Sequence, residues 1–378
     1  MSSILLICFC HAIVFAVLIL KNSTDEHKKA SRWLAAFLFL GAMYLCPFML
    51  GYAGWYDKDP YRAFMFFIPF KQLFLIGPVF FFYVKTLLNG QYKYQKQDLF
   101  HFVPALLYLG YSLVIAITDL LVLDAYYFYA DEMDKDLSDW YQIAGVVSML
   151  FYLFLSLRYY EGYRSLSLQE LSYADEIAYK WLRNFIIAFG VILFFRIVFF
   201  FTNPTWWNFG DKFWYYFVFS VLLFYISVSG YSHTIKSAIK VRLSPIDSDD
   251  LLVTREDQYS ASIPHTEEWE KKIAHLFDVE HLYTNPDLTL TYLADRLQSN
   301  RSVVSKVINE SFKMNFNDFV NEKRAEAVMK KIEEGAHHQS TLLGIALDCG
   351  FNSKTTFNRA FKKHSGLSPQ QFVKKTNK

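Results

Sequence analysis

The chain is poor in cysteine, with four among 378 residues, at positions 8, 10, 46 and 349. They are too few and too scattered for a disulfide framework, and Cys8 and Cys10 lie in an apolar run without companion metal ligands. Catalytic signatures are also missing. There is no Gly-rich phosphate loop closed by Gly-Lys-Ser/Thr, no His-Glu-x-x-His and no Gly-x-Ser-x-Gly, which removes three common routes to an enzyme. Asp98 and His101 stand near the end of an apolar segment and suit polar anchors better than an acid–base pair. The adjacent His337 and His338 precede a helix start and read as loop residues. No lysine or arginine precedes Lys21, and no small-residue cleavage site follows the first apolar run, so that run is expected to be retained as a membrane span. Acidic residues are absent beyond Asp348.

What is present divides the chain in two. The formal charge of +2 conceals a strong asymmetry, with fourteen Lys/Arg against seven Asp/Glu from Arg301 onward. Such a basic end suits a polyanionic partner. Residues 1–240, in contrast, are dominated by Leu, Ile, Val, Phe and Tyr. A helix needs about 20 apolar residues to cross a hydrocarbon core. Seven segments qualify: 4–20, 33–52, 64–84, 99–121, 140–160, 184–202 and 213–233. The lipid bilayer is therefore an expected partner of an amino-terminal polytopic helical domain.

Loop charge orients these spans. With the carboxy-terminus inside, the inner loops carry Lys21, Lys28, Lys29, Arg32, Lys85, Lys93, Lys96, Arg158, Arg164, Lys180 and Arg183. The outer loops carry only Lys58, Arg62, Lys135 and Lys212. This positive-inside bias places the amino-terminus outside and the basic end in the cytoplasm. Trp55, Trp206, Trp207 and Trp214 fall at the outer interface, where indoles prefer to sit. Lys71, Asp119 and Arg196 lie at similar depth in the outer third. Ionisable groups there are costly and usually pair or face a cavity. The functional expectation is an outward pocket in which Lys71 and Arg196 hold an anionic signal ligand; the alternative is that Asp119 pairs with one of them.

Residues 241–266 are polar, with prolines at 245 and 264, and read as a linker. The soluble domain, 267–378, opens with a helix from Glu267 that ends near Pro286, with Trp269, Ile273, Leu276 and Phe277 on one face. A first helix-turn-helix is expected over about 288–312. Leu290, Leu293, Ala294 and Leu297 pack inward, Asn300 caps the second helix, and Val304, Val307, Ile308 and Phe312 follow. Arg301, Ser302, Ser305 and Lys306 are left outward. A helix over 317–334, inward through Phe319, Ala325, Val328 and Ile332, leads to a second module over about 340–364. There Ser340 and Ser353 are expected caps, Leu343, Ala346, Leu347, Phe357 and Phe361 face inward, and Gly350 permits the turn. Lys354, Thr355, Asn358 and Arg359 face out as base readers, because Lys and Arg suit guanine edges and Asn suits adenine. Lys362, Lys363, Lys374 and Lys375 suit phosphates, which confer affinity without sequence information.

Residues 267–378 thus resemble the two-module DNA-binding domain of the AraC/XylS family of bacterial transcription regulators. The resemblance rests on Ile345-Ala346, Gly350-Phe351, Phe357, Arg359, Phe361-Lys362, Gly366, Ser368-Pro369 and Phe372, with Arg324 and Ala327 in the connecting helix. Asn315 departs from the glycine common there, and Ser302 replaces a larger residue. The resemblance implies double-stranded DNA as partner, read at two major-groove faces about one turn apart. It implies a regulator, without cofactor, coupled to a signal ligand or partner protein sensed by the membrane domain. A homodimer would double the site, although no pattern specifies an interface. The alternative, a transporter or enzyme with an accessory helix-turn-helix, requires a constellation that the sequence does not contain.

Overall fold

The computed structural model describes residues 1–23, 28–90, 92–172, 180–202, 209–239 and 266–376. Among the described residues the fold is all-α, as expected, without a strand. The helices are α1 (Ser2–Lys21), α2 (Lys28–Gly51), α3 (Tyr61–Phe67), α4 (Leu73–Leu88), α5 (Val103–Ile117), α6 (Asp139–Glu170), α7 (Lys180–Thr202), α8 (Phe209–Ile239), α9 (Thr266–Asp278), α10 (Leu290–Arg296), α11 (Arg301–Ser311), α12 (Phe316–Glu333), α13 (Leu342–Asp348), α14 (Lys354–Ser365) and α15 (Pro369–Thr376). Trp206, Trp207 and the linker except Thr266, which begins α9, lie outside the described residues.

The chain forms two compact units. One comprises Met1–Tyr160 and Lys180–Ser248; the other comprises Glu161–Tyr179 and Asp249–Lys378. Residues 161–172, which the sequence reading puts in an inner loop of the first domain, group with the second unit.

Among the described residues six helical stretches are long and apolar enough to cross a membrane: Ser2–Lys21, Lys28–Gly51, Lys96–Val122, Asp139–Glu170, Trp181–Thr202 and Lys212–Thr234. The third expected span, 64–84, differs, because it is broken into α3 and α4. Pro69 explains the break. It has no amide hydrogen and forces the residue before it out of the helical region, and Ile68 is extended at φ −94° and ψ 115°. The backbone freed by the break is satisfied by side chains. Asp136 accepts from the Lys71 amide at 2.9 Å and from the Tyr108 hydroxyl at 2.6 Å. The Tyr141 hydroxyl accepts from the Leu73 amide at 3.0 Å and donates to the Lys71 carbonyl. Twelve of the sixteen α4 residues are buried, so this short helix is an interior element of the unit. Glycines let it pack closely: a Cβ on Gly77 would stand 2.5 Å from the Tyr152 ring, and one on Gly145 of α6 would stand 2.7 Å from Leu73.

The second unit has two cores that share α12. Ile273, Phe277, Leu290, Leu293, Val304, Val307 and Ile308 close on Phe316, Phe319 and Val320. Ile345, Ala346, Cys349, Phe351, Phe357 and Phe361 close on Ala325, Val328 and Ile332. The opening helix α9 stops at Asp278 rather than near Pro286, with a 3-10 turn over Leu282–Thr284 between. The inward residues of α13 are Ile345 and Ala346, joined by Cys349 just beyond its end, whereas Leu347, expected inside, is exposed.

Asp134 and Asp136, in the turn before α6, form a buried carboxylate pair. Asp134 accepts from Tyr56 at 2.5 Å and from the Asp136 amide at 2.9 Å. Burial raises both carboxyls above the usual carboxylate range, and for Asp134 the neighbouring Asp136 charge adds to it. A folded-state pKa above the unfolded value stabilises most at low pH, where both states are protonated, and that stabilisation is lost as pH rises through the folded value. Thermal unfolding of the full chain in lipid nanodiscs is therefore expected to show the Asp134→Asn variant gaining on wild type as pH rises from about 4 to neutral. A constant difference across that range would remove the pair from the pH response.

Candidate nucleic-acid interface

Each expected reading helix begins at a capped turn. The Asn300 side chain accepts from the Val303 amide at 2.8 Å and opens α11. The Ser353 hydroxyl accepts from the Thr356 amide at 3.3 Å and opens α14. Such caps satisfy amide groups that lack an intrahelical partner, each contributing about 1 kcal/mol. The cap of α13 is Thr341, which accepts from Gly344 at 3.0 Å, one residue beyond the expected Ser340. Asn315 has a positive role that its departure from the family pattern concealed. It caps α12, accepting from the Asp318 amide at 2.9 Å, while the positive φ of this turn falls on Lys313 at 57°.

Gly350 shapes the second turn. Its φ is +89°, and a Cβ there would stand 2.3 Å from the Tyr283 carbonyl oxygen. Any side chain would be strained in backbone and would also collide with the loop before α10.

On α11, Arg301 is exposed and Ser302, Ser305 and Lys306 are half-buried, with Lys306 3.8 Å from Glu310. On α14, Lys354, Thr355, Asn358 and Arg359 are all exposed. Of the expected phosphate anchors, Lys362, Lys374 and Lys375 are exposed on α14 and α15. Lys363 is exposed too, but its ammonium lies 2.7 Å from Asp318. With His364 3.1 Å from Glu322, that pair pins α14 to α12.

The residue that joins the two modules is Arg324, buried in the middle of α12. Its guanidinium donates to the Tyr283 carbonyl at 2.8 Å, the Asn285 carbonyl at 2.7 Å and the Ser172 hydroxyl at 3.2 Å. It also lies 6.0 Å from the centre of the Phe351 ring, in the second core. The sequence places Arg324 only through resemblance; nothing local distinguishes it from a solvated helix charge.

Residues 293–375 match the helix-turn-helix domain family. This is a helix-turn-helix domain of the AraC type. Similar proteins are the uncharacterized HTH-type transcriptional regulators of Staphylococcus aureus strains COL, MSSA476 and N315, each 29% identical over 103 residues. The similarity covers 27% of this chain and 13% of each relative, so it speaks for the helix-turn-helix domain alone. No solved structure matches the chain.

The charged residues expected in an outward pocket separate into two places. Lys71 and Arg196 meet around Tyr44. Lys71 Nζ donates to the Tyr216 hydroxyl at 2.8 Å and lies 5.1 Å from the centre of the Tyr44 ring, while Arg196 donates to the Tyr44 hydroxyl and to Gln142 Oε1 at 2.7 Å. The cavity beside Arg196 measures about 20 Å³, room for a water. Asp119 does not join them. Its carboxylate accepts from the Phe128 amide at 3.1 Å and closes the turn after α5. Asp98 and His101 also go separate ways, Asp98 to Lys85 at 3.4 Å and His101 to the Tyr152 hydroxyl at 2.9 Å.

Arg324→Ala is expected to destabilise the second unit by about 3 kcal/mol, because it leaves buried carbonyls without a donor. Arg324→Lys should recover less than half of that, since an ammonium cannot reproduce the guanidinium fork. Gly350→Ala should cost more than the ~1–2 kcal/mol of left-handed backbone alone. Hydrogen exchange of amides in both cores reads all three; an unchanged α14 in either alanine variant would contradict the account.

Proposed function

We propose that the chain is a membrane-embedded, one-component transcription regulator. Its helix-turn-helix domain binds double-stranded DNA in the cytoplasm of a bacterial cell, and its amino-terminal helices sit in the inner membrane and receive the signal. The observation that carries the reading is the pair of capped helices, α11 and α14, held on one shared helix α12 with Arg301, Lys354, Thr355, Asn358 and Arg359 exposed. Six long apolar helices support the membrane location, and, with the broken α3–α4 element counted as a seventh crossing, the inner-loop excess of lysine and arginine supports the orientation. The broken α3–α4 element suits a bilayer as well, because its backbone groups are bonded within the protein.

The direct test is selection from a randomised duplex pool by the full chain in lipid nanodiscs at about 150 mM salt. The expected result is an enriched pair of half-sites about one turn apart. Salt-sensitive binding without an enriched sequence would reduce the domain to a polyanion contact. On the selected duplex, Arg359→Ala is expected to cost about 1–3 kcal/mol and relax preference at one position. A loss uniform across sequences would make Arg359 a phosphate anchor. Lys374→Ala should lower the salt slope by about one unit without altering the preferred sequence, and an unchanged slope would exclude that role.

A further inference from the structure

The second unit contains a stretch of chain from outside the helix-turn-helix domain. Residues 161–172, the end of α6 and the turn after it, belong to it. The contact is specific. Leu171 and Ser172 are buried, and Leu171 forms an antiparallel bridge with Thr289, the capping residue of α10. The Ser172 amide donates to the Leu288 carbonyl at 3.1 Å. From α12, Asn317 donates to the Leu171 and Ser172 carbonyls at 3.1 and 2.9 Å, and Asn321 donates to the Ser172 carbonyl at 3.3 Å. Arg324 completes the slot on the Ser172 hydroxyl at 3.2 Å. Three buried polar side chains of α12 therefore converge on two residues of this segment. Buried amides are costly to leave without partners, so the slot is built to be filled.

The same segment reaches the DNA-reading residues. Glu170 Oε1 lies 3.8 Å from the guanidinium of Arg301, the first residue of α11. A carboxylate there occupies the electrostatic position of a phosphate and repels an approaching polyanion. The end of α6 thus bears on the first reading helix through the Glu170–Arg301 contact.

We infer that the α6 end, seated in the slot formed by Asn317, Asn321 and Arg324, is an autoinhibitory strap that competes with DNA for the first reading helix, α11. α6 is one helix from Asp139 to Glu170, and its first part lies in the amino-terminal unit, so the strap is covalently continuous with the proposed sensing helices. A signal that favours the undocked strap raises DNA affinity by raising the competent fraction. The inference rests on the DNA-binding reading proposed above.

The test uses the full chain in nanodiscs and the duplex selected by wild type. Leu171→Asp cannot be buried in the slot, and it adds negative charge, so charge alone predicts weaker binding. If the docked form holds about nine molecules in ten, release tightens binding about tenfold. The counterpart is a lock, Leu171→Cys with Thr289→Cys, in a background carrying Cys8→Ser and Cys10→Ser. Residues opposed at an antiparallel bridge have a Cα separation that a disulfide can span. The oxidised lock is expected to bind at least about tenfold more weakly than Leu171→Asp, and reduction should return it to the wild-type level. Equal affinity of the oxidised lock and Leu171→Asp, or an oxidised lock that binds more tightly than wild type, overturns the strap while leaving DNA binding intact. Should no form bind the duplex, the DNA-binding reading fails and the strap with it.

Discussion

The second unit depends on one buried cation. Arg324 is enclosed with carbonyl and hydroxyl acceptors on several sides, and it serves as the hub between the loop before α10, the middle of α12 and the Phe351 ring of the second core. A guanidinium suits the position because it offers several donors in a fixed plane and is more weakly hydrated than an ammonium. Around it the two modules lose their independence. Phe316, Phe319 and Val320 go to one core and Ala325, Val328 and Ile332 to the other, so neither closes without the same helix. Gly350 belongs to this arrangement as well, since the Tyr283 carbonyl that Arg324 binds is the atom a side chain at position 350 would strike.

The amino-terminal unit solves a related problem with side-chain oxygens. Pro69 interrupts a helix, and Asp136 and Tyr141 take up the amides that the interruption exposes. Asp136 lies far from Lys71 in sequence, so its burial follows from the break and not from any local apolar pattern. The same network reaches Arg196 through Gln142, which donates to the Asp136 carbonyl at 2.5 Å. On the proposed membrane reading, a shift of α6 at its outer end disturbs a connected polar network, whereas an apolar interface could absorb it by repacking.

Much of this was legible in the sequence because it is local. Periodicity placed α10 to α14, and Asn300 and Ser353 were readable as caps because capping is a matter of three residues. The turn at Gly350 was readable for the same reason. What escaped depended on distant contacts. The single apolar run at 64–84 hides a break, since hydropathy does not register that a proline and a carboxylate from another loop divide it. Leu347 looked inward by period, but the second core takes Cys349. The grouping of Lys71, Asp119 and Arg196 came from depth alone, and depth does not distinguish neighbours in an aromatic cluster from a residue closing a turn. The seat of Leu171 and Ser172 had no sequence signal, because its partners are ordinary asparagines in a polar helix.

The sharing of α12 also determines how the domain would measure its operator. On the proposed DNA-binding reading, α11 and α14 pack on one short rod, with Lys363–Asp318 and His364–Glu322 adding contacts between α14 and α12, so their mutual phase is constrained. DNA turns by about 35° with each base pair. A single base pair inserted between the two half-sites would swing one of them out of reach with every contacted base still present. The domain would then recognise spacing as strictly as sequence, and promoters under its control would differ more readily in letters than in length.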